Sequence, residues 1–194
     1  MGKVQENKQQ KRQALLDAAY DLFLEQGLNK TSIDSIVHRA KVAKGTFYLY
    51  FSDKDAILQA LMWRISEHIF DEALAEVSKL GQAPFSQKEL ALVDYIIEYL
   101  RRNSFLLRLI RHSLRWPSID QLDSGEPPAL FAKVFHVIRA CPEMAGRNER
   151  ELYQRLTAIV SMCISVCYGC VIEHSPDTLD NMKPVLYDII KKSL

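Results

Sequence analysis

Apolar residues recur every three or four positions along almost the whole of this 194-residue chain. That is the period of one helix face, whereas a half-buried strand alternates every second residue. Alternating runs closed by Asn-Gly or Asp-Gly turns are nearly absent, so hairpins have little to start from. The chain is expected to be all-α, with about nine helices. Leu15, Ala18, Ala19, Leu22 and Phe23 form the first stripe, and Gly27 follows as its stop. Thr31-Ser-Ile-Asp34 reads as a capping box, with Ile33, Ile36, Val37 and Ala40 along one face behind it. Ser52-Asp-Lys-Asp55 reads as a second box, opening a long helix towards Leu80.

Gly81 to Pro84 is a break. Helices are expected over about 87–101 and 104–115, the second ended by Pro117, with a loop-like stretch from Ser118 to Pro128. Further helices are expected over about 129–141, 149–174 and 178–192. Pro184 lies inside the last, as a kink or as its true first turn.

Hydrophobic residues make up 48% and charged residues 25%, enough apolar side chains for a soluble core. Net charge is only +1, so a basic surface must be local. The first fifty residues hold eight Lys or Arg against five Asp or Glu. The polar start MGKVQENKQQKRQ has no signal-peptide core, and no apolar run approaches the roughly 20 residues that span a bilayer. Glu6 stands where a myristoylation signal needs Ser or Thr. A cytoplasmic protein is expected, without a membrane partner.

One stretch combines features that neither a core nor a solvated surface favours. In KVAKGTFYLYFSDKDAIL, Phe47, Tyr48, Tyr50 and Phe51 crowd between Lys41, Lys44 and Lys54. A surface pressed against a polyanion accommodates both. From Thr31 to Tyr50 the pattern is a capped helix of about two turns, a short turn at Lys41-Val42, and a second short helix from Ala43. This is the layout of a helix-turn-helix, whose second helix enters the DNA major groove. Ile33, Ile36, Val37, Val42 and Phe47 are expected inside. Lys44, Gly45, Thr46, Tyr48 and Tyr50 then face out, where Lys supplies charge and hydroxyls reach phosphates or base edges. Gly45 allows close backbone approach. Lys54, in the first turn of the next helix, sits where amides and the helix dipole favour a phosphate. Lys8, Lys11 and Arg12 add salt-dependent affinity.

These residues carry a resemblance. ALLDAAYDLFLEQGLNKTSIDSIVHRAKVAKGTFYLYFSDKDAIL, within residues 11–58, is similar to the N-terminal domain of the TetR family of bacterial transcriptional regulators. KGTFYLYFSDKDAIL is the most specific part, against the family's K-G-T-hydrophobic-Tyr-x-x-Phe-x-x-Lys-x-x-Leu. Three positions depart: Lys41 stands where the family usually has Gly, Ala43 where Ser or Thr often opens the recognition helix, and Tyr50 where many members carry His. The resemblance implies a DNA-binding domain over residues 1–55 and a ligand-binding and dimerisation domain over 56–194. It implies a homodimer through the helices at about 149–174 and 178–192. It also implies a near-palindromic double-stranded operator, and repression relieved by an unknown small-molecule effector. The DNA-facing set is Thr31, Ser32, Lys41, Lys44, Gly45, Thr46, Tyr48, Tyr50 and Lys54. For the ligand, Trp63, Tyr99, Phe105, His112, Trp116, Phe131, Phe135 and Tyr168 are the candidates, since aromatics with a few polar groups suit a drug-like or lipid-like molecule. Aromatics at helical spacing serve equally as plain core.

Two features suggest other roles. Ser104 to Trp116 is a basic amphipathic helix with Arg108, Arg111 and Arg115 on one side. It could lie on a membrane surface, face an anionic effector, or be a core helix with a solvated basic face. Cys163, Cys167, Cys170 and His174 share a helix face. At about 1.5 Å per residue the outer pair is some 16 Å apart, too far for one zinc to hold all four. A metal held by two adjacent members with help from elsewhere, across a dimer for instance, thiol sensing and buried free cysteine remain as readings. There is no nucleophile elbow, no Gly-rich phosphate loop and no carboxylate pair near a His. The chain is expected not to be an enzyme and to need no cofactor or metal.

Overall fold

The computed structural model describes residues 3–118, 129–140, 142 and 146–193. Among these there are nine α-helices and no strand. They are α1 (Lys3–Gln26), α2 (Ile33–Arg39), α3 (Lys44–Tyr48), α4 (Lys54–Ser78), α5 (Phe85–Arg102), α6 (Ser104–Ser113), α7 (Ala129–Arg139), α8 (Glu149–Tyr168) and α9 (Leu179–Ser193). A π-helical turn, Gly169–Glu173, extends α8. The expected all-α class and helix count are observed. The loop expected from Ser118 to Pro128 lies, beyond Ser118, outside the described residues.

The chain divides into two compact units, Met1–Arg64 and Ile65–Leu194, with the division inside α4. In the first, the apolar stripe of α1 (Leu15, Leu16, Ala19, Phe23) is buried together with Ile36 and Val37 of α2, Phe47 of α3 and Ile57, Leu61 and Met62 of α4. Such burial contributes roughly 1.5–3 kcal/mol per large side chain. Gly27, at φ +80°, lets the chain turn away from α1 while its amide bonds Phe23 O at 3.0 Å.

In the second unit, α5, α6, α8 and α9 bury Ile97, Leu100, Leu107, Ile110, Leu152, Leu186 and Ile190. Asn148 caps α8, its Oδ1 accepting from the amides of Arg150 (2.8 Å) and Glu151 (3.4 Å). A polar cluster joins α5 to α9. Lys183 donates to Asp94 at 2.7 Å and to Glu98, Tyr187 donates to Asp94, and Arg101 reaches both Glu98 (2.6 Å) and Asp180 (3.0 Å). Pro184 sits within α9, which continues past it to Ser193.

Against the expectation from the sequence, one helix is long and apolar enough to cross a membrane by length and composition. It is Glu149–Glu173, and only 17% of its apolar window is buried within the chain.

Candidate nucleic-acid interface

The first unit is held together by caps that begin one residue later than expected. Ser32, not Thr31, caps α2: its Oγ accepts from the Ser35 amide at 3.0 Å, while its own amide donates to Ser35 Oγ at 3.1 Å. Asp53, not Ser52, opens α4, with Oδ1 accepting from the Ala56 amide at 2.7 Å. That bond, with a hydroxyl bond from Ser52, holds the Asp53 carboxyl below its ordinary range. Thr31 is thereby released to the interior. It is 2% exposed, and its hydroxyl donates to Gly27 O at 2.8 Å. Its expected place at the DNA surface is corrected: a side chain buried in this way cannot reach a phosphate.

The turn between α2 and α3 is a Schellman closure. Val42 N bonds Val37 O at 3.1 Å and Lys41 N bonds His38 O at 3.2 Å. This geometry places Lys41 at φ +55°, the left-handed region that favours glycine. The departure from the family pattern is therefore a strained lysine, not a different turn.

The second helix of the motif, α3, starts at Ala43 with no side-chain cap. Phe47 is fully buried and packs against Phe51 at 5.7 Å between ring centroids. These two anchor α3 by a contact four residues apart. What lies half a turn away must face out. Tyr48 is 53% exposed and Leu49 79%. Gly45 and Lys44 are exposed, Thr46 and Tyr50 half-buried, and Ser32 and Lys41 exposed. Leu49 was missed in the sequence, although the Phe47–Phe51 spacing already puts it outside; apolar contact with a thymine methyl is open to it. Nothing lies within 4 Å of a Cβ built on Gly45, whose φ is not positive. Internal packing therefore gives no reason for glycine there.

Two basic residues carry partners that spacing did not reveal. Lys44 pairs with Asp34 of α2 at 2.8 Å, and that hydrogen bond raises its pKa. Both groups are largely in solvent, at 54% and 70% exposure, so the pair adds little stability. Lys54 is half-buried, and Nζ donates to Leu28 O at 2.8 Å and Thr31 O at 3.2 Å. Lys8, Lys11 and Arg12 are exposed, and the Arg12 guanidinium stands 5.5 Å above the Phe51 ring.

Residues 15–61 match the family of bacterial regulatory proteins named for tetR. The match to the TetR family is carried by this N-terminal part of the chain. It is 44% identical over 118 residues, 57% of its length and 60% of the relative's, to the HTH-type transcriptional regulator YvdT of Bacillus subtilis. It is 33% identical over 126 residues to the HTH-type transcriptional regulator BetI of Cronobacter sakazakii, covering 63% of this chain and 62% of BetI. The chain thus spans less than two thirds of these relatives. Its fold resembles a TetR-family regulator from Shewanella sp. PV-4, with TM-score 0.65, 20% identity, and 94% and 97% of the two chains covered. It also resembles Bacillus subtilis FadR in complex with stearoyl-CoA, with TM-score 0.61, 16% identity, and 94% and 98% covered.

The expected ligand residues fall in several places. Trp63 belongs to the first unit. Tyr99 lines a hollow of about 590 Å³ with Glu72, Glu76, Asp94, Tyr95, Glu98 and Arg102. Trp116, Phe131 and Phe135 gather around Tyr153, with ring centroids 5.0–6.5 Å apart. Tyr153, absent from the expected set, ties this group to the chain by donating to Pro117 O. Phe105 is half-buried on α6, and Tyr168 lies 5.9 Å under Arg111. The side chain of His112 lies outside the described residues.

The other two readings lose support. Leu106, Leu107, Leu109 and Ile110, the apolar side of α6, are buried and unavailable to a bilayer. Burial pushes the thiols up, Cys163 to about 12 and Cys167 to about 11, and raises Cys170 as well. A thiol-based sensor needs thiolate, which such burial suppresses. Among the described residues no group of three His, Cys, Asp or Glu could hold a metal.

Proposed function

We propose that this chain is a ligand-responsive, sequence-specific DNA-binding regulator, a repressor released from its operator by a small molecule. The observation that carries the reading is the outer face of α3. Gly45, Tyr48 and Leu49 are presented to solvent, Gly45 with no internal packing reason for its identity, at a helix locked from behind by Phe47 and Phe51. Residues 1–55 form the reading head in this proposal. Ser32, Lys41, Lys44, Gly45, Thr46, Tyr48, Tyr50 and Lys54 contact DNA, and Leu49 joins them. Residues 56–194 bind the effector and the second subunit. The family resemblance supports a cytoplasmic, non-enzymatic homodimer on a near-palindromic operator. The apolar surface left on α8 (Glu149–Tyr168), with Val185 and Ile189 of α9 exposed, is consistent with pairing through those helices. FadR of Bacillus subtilis, a fold neighbour, was solved with stearoyl-CoA. An amphipathic effector with an acyl-like portion is therefore a reasonable first class to screen here. A ligand lowers operator affinity only by its differential affinity for the two conformations.

The test is fluorescence anisotropy of the full chain with duplexes tiled across DNA flanking its own gene, at two salt concentrations. The expected result is tight binding to one tile, weakened by salt and poorly competed by random DNA. Equal, weak binding to every tile, unchanged by Lys44→Ala and Tyr48→Ala together, would overturn the proposal.

A further inference from the structure

Asp34 is an acid on the face that the proposal above turns towards a polyanion. It lies in the first turn of α2, and its carboxylate holds the Lys44 ammonium at 2.8 Å across the turn to α3. Lys44 opens α3 one helical turn before Tyr48, and the Tyr48 phenol is close enough to add to the rise in the lysine's pKa. The pair therefore stands beside the exposed ring of Tyr48, with both side chains largely in solvent. Two simpler roles account for it poorly. An exposed ion pair contributes little to stability. An acid in the first turn does favour the helix dipole, but that role needs no lysine beside it, and an acid facing DNA repels phosphates.

What the pair presents outward is a donor beside an acceptor. The major-groove edge of a G·C pair presents the complement: guanine N7 and O6 accept, and cytosine N4 donates. O6 and N4 are joined by the base pair's own hydrogen bond and stand about 2.9 Å apart. The ammonium and the carboxylate oxygen stand 2.8 Å apart. An ammonium has three donors. One goes to Asp34, which leaves two for N7 and O6, and the carboxylate then falls opposite the free N4 hydrogen. The pair engages this edge without being separated. On an A·T pair, thymine O4 and adenine N6 offer the same spacing. There the ammonium finds one acceptor and meets the thymine methyl instead of a second.

We infer that Asp34 is a specificity-determining residue, which together with Lys44 reads one G·C pair in each half-site of the operator. The inference rests on the DNA-binding reading above. It gives Lys44 a base partner in place of a phosphate, and it gives the acid a reason to face the groove. Loss of either side chain should relax the preference at one base pair and leave the rest of the recognised sequence as it was.

The experiment selects binding sites from a pool of randomised duplexes for the full-length wild type, for Asp34→Ala, for Lys44→Ala and for the double variant. Single base-pair replacements in the wild-type site are then titrated by anisotropy against each protein. The expected wild-type site holds a G·C pair at one symmetric position, whose replacement by A·T costs about tenfold in affinity. In Asp34→Ala and in Lys44→Ala the same replacement costs less than about twofold, with the penalties at other positions unchanged. The double variant relaxes no further position, as expected of two residues that act as a unit.

Partial unfolding lowers the active fraction for every duplex alike, and so cannot erase the preference at a single position. A purely structural role for Asp34 at the start of α2 predicts a lower melting temperature with every base preference intact, and that outcome would overturn the inference. So would relaxation at an A·T position, or at different positions in the two single variants. If the wild type enriches no site from the pool, the regulator reading fails and the inference falls with it. An enriched site that Asp34→Ala reads as the wild type does overturns the inference alone.

Discussion

Replacing Gly45 by alanine should move stability and DNA binding in opposite directions. Gly45 is the second residue of α3, its φ is not positive, and an added Cβ meets no atom within 4 Å. The substitution therefore introduces neither strain nor a clash in the free protein. Gly costs about 0.8–1.0 kcal/mol relative to Ala inside a helix. In a first turn we take roughly half of that, about 0.5 kcal/mol. For a chain of this size 1 kcal/mol corresponds to about 2–4 °C, so thermal unfolding of Gly45→Ala should rise by about 1–2 °C. Under the DNA-binding proposal, the same methyl lies on the operator where the backbone of α3 meets DNA. An overpacked contact of one methyl costs about 1–3 kcal/mol, which is a loss of about fivefold to more than a hundredfold in affinity. Circular dichroism melts and anisotropy titrations on one preparation read both numbers. A variant that melts higher and binds as tightly as wild type would refute the close approach of α3 to DNA. A variant that melts lower would refute the claim that no internal contact requires glycine.

Three further substitutions probe what the geometry implies. Asp34→Asn releases Lys44 from its ion pair. It should raise affinity for random and specific duplexes at low salt while changing stability by less than about 0.5 kcal/mol, measured by salt-series titration and chemical denaturation. Lys41→Gly removes a side chain from the left-handed region, a strain of about 1–2 kcal/mol partly offset by the greater freedom of glycine in the unfolded chain. A net gain of about 0.5–1 kcal/mol in a denaturant titration is expected. Burial lifts Glu89 to about 7, and its Oε1 has no hydrogen-bond partner among the described residues. A carboxyl whose folded pKa is raised is at no disadvantage below its unfolded value and loses stability as pH climbs to the folded one. Glu89→Gln should therefore stabilise by on the order of 1 kcal/mol near pH 8, discounted for partial solvent access, and by nothing near pH 4. Equal effects at both values would show that Glu89 is not desolvated.

Much of this was legible in order and less so in register. The stripe of α1, the stop at Gly27 and the pair Phe47 and Phe51 follow from period and spacing, and all are where they were expected. Both caps slipped by one residue for a common reason. Thr31-Ser32 and Ser52-Asp53 each offer two adjacent cap-competent side chains, and the sequence does not say which one will take the cap. The Phe23–Ile36 core claimed Thr31, and Ser35 closed the box in place of an acid. The partners of Lys54 were not legible because they are backbone carbonyls, which no residue type announces. The ligand candidates dispersed because aromatic content does not encode which helices meet. Tyr153 joined Trp116 and Phe131 through the crossing of α7 and α8, while Tyr99 faced the α4–α5 hollow.

The thinly covered apolar length of Glu149–Glu173 has a consequence for the abundance of the molecule in the cell. A subunit that leaves most of such a helix only half-buried gains from a partner, and under the pairing proposed above its melting temperature climbs with its own concentration. Below some number of copies the fold weakens as well as the grip on DNA. Dilution alone could then open a promoter, and the gene's dosage would become a control input alongside the effector.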